Sequence, residues 1–170
     1  ANTLIGGIAG DAITTGGENT TLGYKTLSAN TTGFYNVAVG SRALANMNVT
    51  DGSSTHNTAV GYNAGNDVTT GVRNTLLGGE AGDALTDADD NVVVGMGALS
   101  ADTLGSGSVA IGKGALALQN FTTATTSYNV AVGLDAGNSV TTGIRNTLIG
   151  GLTGDALTTG NHNTALGFNA

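Results

Sequence analysis

Residues 57–65 read Asn57-Thr58-Ala59-Val60-Gly61-Tyr62-Asn63-Ala64-Gly65, and the same phrase returns along the whole chain. Residues 129–137 repeat it as Asn129-Val130-Ala131-Val132-Gly133-Leu134-Asp135-Ala136-Gly137. The shared pattern is Asn, a β-branched residue, a small or aliphatic residue, an aliphatic residue, Gly, two free positions and Ala. A chain built this way is interpreted first through its period.

Ten copies of the phrase follow one another at regular intervals. Counted in residues, the interval from one start to the next is 17, except at two places where it is 21. The copies start at Asn2, Asn19, Asn36, Asn57, Asn74, Asn91, Ser108, Asn129, Asn146 and Asn163, and positions within each copy are numbered from that residue. A longer period of four copies makes residues 57–86 similar to residues 129–158. We interpret residues 1–170 as a single repeat array, and we expect it to be a piece of a longer fibre.

The composition excludes several classes of protein. The chain has 170 residues with 29 Gly, no Cys, no Pro and no Trp, and its net charge is −7 with only five basic residues. A basic surface for nucleic acid therefore cannot form, so we predict no nucleic-acid partner. Without Cys there is no disulfide framework and no thiolate metal site. No apolar run of about 18 residues occurs, which predicts no membrane insertion.

The length of the repeat predicts a β-solenoid. Helical repeats need periods of about 33 to 47 residues, and each Gly inside a helix costs about 1 kcal/mol relative to Ala. Seventeen residues are enough for one coil with two short strands, at positions 1–4 (Asn91–Val94, for example) and at positions 8–12 (Ala81–Leu85). Gly at position 5 and a polar run at positions 13–17 would form the bends. The predicted fold is all-β: a parallel β-solenoid of about ten coils of 17, occasionally 21, residues, stacked into a rod roughly 45 Å long.

The alternation of side chains along a strand divides each coil into an inner and an outer face. Position 4 is aliphatic in every copy, and we predict it to be the core: Ile5, Leu22, Val39, Val60, Leu77, Val94, Ile111, Val132, Ile149 and Leu166. Position 3 would then point outward, although it carries no charge in any copy. An uncharged outer stripe predicts a subunit interface, with Leu4, Leu76, Val93 and Leu148 as its largest members.

Nine of the ten copies begin with Asn, which predicts a structural ladder. Stacked amide side chains can hydrogen-bond from one coil to the next, as Asn side chains do in cross-β stacks. The predicted ladder consists of Asn2, Asn19, Asn36, Asn57, Asn74, Asn91, Asn129, Asn146 and Asn163.

Two phrases resemble a known family. Ser108-Val109-Ala110-Ile111-Gly112 and Asn36-Val37-Ala38-Val39-Gly40 resemble the head repeats of trimeric autotransporter adhesins of the YadA-like type. Residues 57–64 are also similar to repeats of bacteriophage tail fibres and large bacterial surface proteins. The resemblance implies a left-handed parallel β-roll, assembled as a parallel homotrimer, that holds a binding tip away from a cell or virion surface. Autotransporter, phage fibre and free filament remain three alternatives for the parent protein.

No residue is assigned to catalysis, to a cofactor or to a metal. His56 and His162 occupy the same position in their coils, but that position also holds Glu, Tyr, Arg, Asp and Gly in other coils. Residues 6–13 resemble a calcium roll only in part, because that motif has a nine-residue period. We therefore predict a non-enzymatic, structural and adhesive segment of an extracellular or virion fibre.

Two other functions stay open at this point. Recurring Thr-Thr pairs, such as Thr69-Thr70 and Thr141-Thr142, could stack into a ladder that binds ice or a glycan. The chain could also form filaments by end-to-end assembly. Insertions in a solenoid fall on loops, often on a binding face. The two four-residue insertions therefore point to Met47, Asn48, Phe121 and Tyr128 as ligand-facing residues, with a host-surface glycan or matrix protein as partner.

Overall fold

The computed structural model describes residues 1–170, which form twelve short β-strands and no helix. The strands are β1 (Thr3–Ile5), β2 (Thr20–Leu22), β3 (Val37–Val39), β4 (Thr58–Val60), β5 (Thr75–Leu77), β6 (Val92–Val94), β7 (Gly105–Ser106), β8 (Val109–Ile111), β9 (Thr125–Thr126), β10 (Val130–Val132), β11 (Thr147–Ile149) and β12 (Thr164–Leu166). Ten of them form one sheet in the order β1-β2-β3-β4-β5-β6-β8-β10-β11-β12, and β7 pairs with β9.

Every neighbouring pair in the large sheet is parallel and in register with the repeat. In β4 and β5, for example, Thr58 lies opposite Thr75, Ala59 opposite Leu76 and Val60 opposite Leu77. Each residue therefore lies beside the residue at the same position in the next coil. The predicted all-β, parallel β-solenoid of ten coils, most of them seventeen residues long, is confirmed. We number the coils 1–10 from Asn2.

The second side of each coil is a run of turns, so the strand predicted at positions 8–12 is wrong. Residues 81–84 are in turn conformation, and positions 7, 9 and 17 have positive φ in coil after coil, as in Glu80 (φ 57), Gly82 (φ 56) and Asp90 (φ 61). The Gly82 N–H donates to the Ala98 carbonyl of the next coil at 3.0 Å, whereas the Leu85 N–H donates back to the Gly82 carbonyl at 3.2 Å. Alternating local and coil-to-coil hydrogen bonds satisfy the backbone without an extended strand.

Position 5 is Gly in all ten coils for a steric reason. Gly95 has φ +135, and a Cβ built there would lie 2.5 Å from the carbonyl oxygen of Gly112 in the coil above. No other residue fits where two backbones stack this closely.

The inner face of each strand is position 3, one residue away from the predicted core. Ala38, Ala59, Leu76, Val93 and Ala110 are completely buried. Conversely, the predicted core at position 4 faces outward: Ile5, Leu22, Val60, Ile111, Ile149 and Leu166 are exposed, and Val39, Leu77, Val94 and Val132 are half-buried. Position 3 faces inward because position 1 does. The Asn side chain at position 1 points into the coil to bond interior carbonyls, and side chains two residues apart lie on the same face of a strand. Leu76, Val93 and Leu148 are thus core residues of one chain, not interface residues, and Leu4 shares their face in the first coil.

The interior of a coil is filled by a Leu from position 3 or from position 9, and the two positions complement each other in size. Position 9 is a buried Leu in Leu27, Leu44, Leu99 and Leu116, where position 3 is Thr, Ala or Val. Where position 9 is Gly, a neighbouring Leu takes the space: a Cβ on Gly65 would lie 2.5 Å from Leu76 Cδ1 and 3.1 Å from Leu44 Cδ2. Ala or Thr at position 8 keeps the opposite wall close.

Candidate functional site

The predicted Asn ladder forms a column of three segments, which is buried except at its two ends, Asn2 and Asn163. Asn57 Oδ1 accepts the backbone N–H of Asn74 at 2.9 Å and its Nδ2 at 3.2 Å, and Asn74 Nδ2 also donates to the Ala88 carbonyl at 2.7 Å. Asn74 Oδ1 serves Asn91 in the same way. The same pair of bonds recurs from Asn2 through Asn19 to Asn36 and from Asn146 to Asn163, and Asn129 Oδ1 accepts the backbone N–H of Asn146. Most of these amides also donate to a carbonyl near the end of their own coil, and so they close that coil.

The four-residue insertions interrupt the ladder, and at each interruption a hydroxyl group takes the place of the missing amide–amide hydrogen bond. At the first junction Asn36 Oδ1 accepts the Asn57 N–H at 3.0 Å and the Thr55 hydroxyl at 2.9 Å. At the second junction, four coils further along the rod, Ser108 replaces Asn36 and Ser127 replaces Thr55, and their hydroxyls lie 2.6 Å apart.

Gln119 supplies the amide group that Ser108, which replaces Asn, lacks. Its Nε2 donates to Ser108 Oγ at 2.9 Å and to Asp102 Oδ2 at 2.6 Å, and its Oε1 accepts Asn129 Nδ2 at 2.7 Å. Gln119, Asp102, Ser108, Ser127 and Asn129 are all completely buried. Sequence reasoning missed this network, which we call the second-junction network. Its signal is the joint exchange of Asn30, Asn36, Met47 and Thr55 for Asp102, Ser108, Gln119 and Ser127 across the four-coil period.

Asp102 is a buried carboxylate without an ion pair. Its Oδ1 accepts the backbone N–H groups of Gly105 at 3.1 Å and Phe121 at 3.0 Å. Burial raises the pKa of Asp102 above the ordinary value, and these hydrogen bonds only partly oppose the rise.

The structure separates the four residues predicted to face a ligand. Met47 is completely buried and Phe121 nearly so, so the prediction is wrong for both. Met47 packs inside the coil, with Sδ 3.7 Å from Asn57 Nδ2. Asn48 and Tyr128 are exposed. Asn48 Oδ1 accepts the Thr31 hydroxyl of the preceding coil at 2.9 Å, which ties the insertion to the rod.

The Thr residues at position 13 use their hydroxyls within the solenoid. Thr69 Oγ1 donates to the Thr86 carbonyl at 3.3 Å, Thr86 Oγ1 to the Thr103 carbonyl at 3.0 Å, and Thr141 Oγ1 to the Thr158 carbonyl at 3.3 Å. These contacts link consecutive coils and leave only acceptor capacity toward solvent.

Concave surface is scarce on this rod. One open cleft of about 270 Å³ is lined by Asp135, Asn138, Ser139, Leu152 and Asp155. A second, of about 220 Å³, lies beside the first insertion. No group of three or more His, Asp or Glu side chains is arranged to hold a metal ion, and no helix exists that could cross a membrane. His56 stacks on Tyr35 with ring centroids 4.9 Å apart, and His162 Nε2 lies 3.2 Å from Arg145 Nη1.

The outward side of the ten-stranded sheet, which we call the outer face, carries no charge. It consists of the side chains at positions 2 and 4 of every coil, and those at position 2 are only Thr or Val. No charged residue occurs in this set of twenty. Leu22 is 48% exposed, Ile111 36% and Ile149 39%, so the single chain leaves much of this apolar surface in water.

Comparison with known proteins gives no match to a family model, to a curated protein or to a solved structure.

Proposed function

We propose that this chain is a non-enzymatic, structural and adhesive segment of an extracellular or virion fibre, wound as a left-handed β-roll and assembled as a parallel homotrimer. The observation that carries the proposal is the outer face. This flat side comprises positions 1–5 of ten coils; it is roughly 45 Å tall and about 16 Å wide, and covers on the order of 700 Å² from the usual strand spacing and rise. That is more than the roughly 300–600 Å² of the largest apolar patch on a typical monomer, and close to the roughly 800 Å² that each partner contributes to a stable interface.

Three copies can hide this surface together. Three flat faces about 16 Å wide, arranged as a triangle, leave about 5 Å from each backbone to the common axis, which is the reach of Val, Leu and Ile side chains. The three outer faces would then make one apolar core along the fibre axis, while the turns and insertions face solvent. A regular rod of this kind serves to hold a binding surface at a distance, and a host-surface glycan or matrix protein is the proposed partner.

The trimer is tested by adding charge to the outer face. We expect the native chain to have three times its monomer mass by light scattering. Introducing Leu22→Asp, Val60→Asp and Ile111→Asp together should give a folded monomer with unchanged β-sheet circular dichroism, because all three side chains face outward. The matched control, Val93→Asp, places one carboxylate in the buried core and should unfold the neighbouring coils. A native monomer, or a triple variant that stays trimeric, would refute the assembly.

The adhesive role needs a separate measurement. The native protein is passed over immobilised glycans and matrix proteins to measure its retention. In a second experiment, electron micrographs of the native cells or virions that carry the protein are searched for fibres. Retention by one class of surface and fibres of uniform width are the expected results. Thermal hysteresis activity would instead favour the alternative function, in which the stacked Thr-Thr pairs bind ice.

A further inference from the structure

Two columns of corner residues border the outer face. The leading edge is the residue immediately before position 1 of each coil from the second onward, and we assign it to the level of the coil that it precedes: Glu18, Tyr35, His56, Arg73, Asp90, Gly107, Tyr128, Arg145 and His162. The trailing edge is position 7 of the same nine coils: Lys25, Arg42, Asn63, Glu80, Gly97, Gly114, Asp135, Leu152 and Asn169. The side chains of the leading edge are exposed, whereas those of the trailing edge are exposed at Arg42, Glu80 and Asn169 and half-buried at Lys25, Asn63, Asp135 and Leu152. Both columns have positive φ throughout, so both are left-handed corners of the coil.

The two edges carry opposite charges at two levels of the rod. Arg73 and Glu80 lie at the level of coil 5, and Glu18 and Lys25 lie at the level of coil 2. At the level of coil 3 the edges carry the aromatic ring of Tyr35 and the guanidinium of Arg42, a combination that favours cation–π contact. At none of the nine levels do the edges carry charges of the same sign.

Within one chain these edge charges stay largely unused. Arg73 pairs with Asp90 on its own edge, with Nε–Oδ1 at 2.6 Å, and Glu18 lies 3.2 Å from the N-terminal amine. Lys25, Arg42 and Glu80 form no ion pair in the chain.

We infer that the trailing edge of one copy packs against the leading edge of the next copy at the same coil level, around a closed ring of three. The inference rests on the proposed trimer and identifies which surfaces meet. Rotation about a closed symmetry axis keeps every residue at its own height, and the two edge residues of one level flank the same strand. Each contact therefore joins residues of the same level, and the contact is heterologous. Complementary edges then set the register of the copies, while the uncharged outer face supplies the buried area.

Cysteine pairs test this arrangement, because the chain has no Cys of its own. The variants Arg73→Cys/Glu80→Cys and Tyr35→Cys/Arg42→Cys place both thiols at one level. The control Arg73→Cys/Asp135→Cys separates them by three coils, about 14 Å of height. All of these positions already hold non-Gly residues at positive φ, so the substitutions should not disturb folding. After mild oxidation, same-level pairs should give at least tenfold more covalent trimer on a non-reducing gel than the control.

The possible failures are distinguishable. If light scattering gives a trimer but neither same-level pair forms covalent trimers, or the control forms as many, the edge-to-edge arrangement is overturned and the proposed fibre role stands. If the native protein is monomeric, both fail together.

Discussion

Asn57 Oδ1 accepts two hydrogen bonds from Asn74, one from its backbone N–H at 2.9 Å and one from its side-chain Nδ2 at 3.2 Å. One amide oxygen thereby fixes both the height and the orientation of the next coil. Because Asn74 Oδ1 accepts the Asn91 N–H in turn, the same arrangement is passed from coil to coil.

Removing one member of the ladder should be costly in the middle of the rod. Asn74→Ala deletes the acceptor used by Asn91 and leaves the buried Ala88 carbonyl unpaired, so we expect a loss of about 2–4 kcal/mol in unfolding free energy. Urea denaturation measures the loss, and hydrogen exchange should locate it in coils 5 and 6. Asn2→Ala, at an exposed position, is the matched control and should cost less than about 1 kcal/mol. Equal effects at both sites would contradict the role assigned to the buried column.

The Gly column predicts a sharp contrast between two neighbouring glycines. Gly95→Ala forces a Cβ to within 2.5 Å of the Gly112 oxygen, whereas a Cβ on Gly97 meets nothing within 4 Å. Gly97 has φ 62, in the left-handed region that L residues can enter, whereas Gly95 has φ 135, where they rarely occur, so Gly95→Ala combines a steric clash with the larger backbone strain. We expect Gly95→Ala to lower the unfolding free energy by on the order of 4 kcal/mol and Gly97→Ala by about 1 kcal/mol. Thermal denaturation of the two variants checks the order, and similar melting temperatures would be inconsistent with close stacking.

The second-junction network should behave as a unit. Gln119→Met alone leaves Asp102 Oδ2 and the buried Asn129 Nδ2 without their Gln119 partner, so we expect a loss of about 3–5 kcal/mol. Adding Asp102→Asn, Ser108→Asn and Ser127→Thr recreates the residues of the first junction, and stability should return to within about 1 kcal/mol of the native chain. Chemical denaturation of the single and quadruple variants measures the coupling. If the effects were additive, the two junctions would not be alternative solutions to one packing problem.

Asp102 also predicts a pH dependence of stability. Because burial raises its pKa in the folded state, the folded chain holds the proton to higher pH than the unfolded chain does. This contribution to stability is complete below the unfolded pKa and is lost as the pH rises through the folded pKa. As the pH rises from 3 to 8, the melting temperature of the native chain should therefore fall relative to that of the quadruple variant, which keeps the raised pKa of Asp83 but lacks Asp102. Asp90→Asn is the control of opposite sign, since the Arg73 guanidinium lowers the pKa of Asp90. That carboxylate stabilises the chain above its unfolded pKa and ceases to do so in acid.

Regular spacing was enough to predict the coils, the Gly bend and the Asn ladder, because each depends on one residue type at one position. The inner face was not predictable from the strands themselves. In β5 and β6 the residues at positions 3 and 4 are Leu76-Leu77 and Val93-Val94. Because both positions are apolar, the alternation of side chains does not show which of them faces inward. The missed signal was the complementary size of positions 3 and 9, which only residues sharing one interior would show.

The turn side of the coil was mispredicted for a different reason. Leu44 has φ 50 and Leu99 φ 51, a conformation that an isolated Leu avoids. Their N–H groups donate to Ala64 and Ala115 of the following coils at 3.1 and 3.0 Å, and both side chains are completely buried. Coil-to-coil bonding and burial together outweigh the local preference, and neither is visible in a short window of sequence.

The hydrogen bonds between coils lie parallel to the rod, and this orientation determines how the rod responds to force. The Gly78 N–H donates to the Val60 carbonyl of the preceding coil at 2.8 Å, whereas the Thr75 N–H donates to the Asn91 carbonyl of the following coil at 2.8 Å. Bonds of both kinds lie along the long axis. Tension applied at the two ends therefore loads the coils in series, and they should peel off one after another, each releasing about 55 Å of extended chain. Compression only presses the stack together. A fibre of this design stands rigid against a surface, yet yields in small steps when it is pulled.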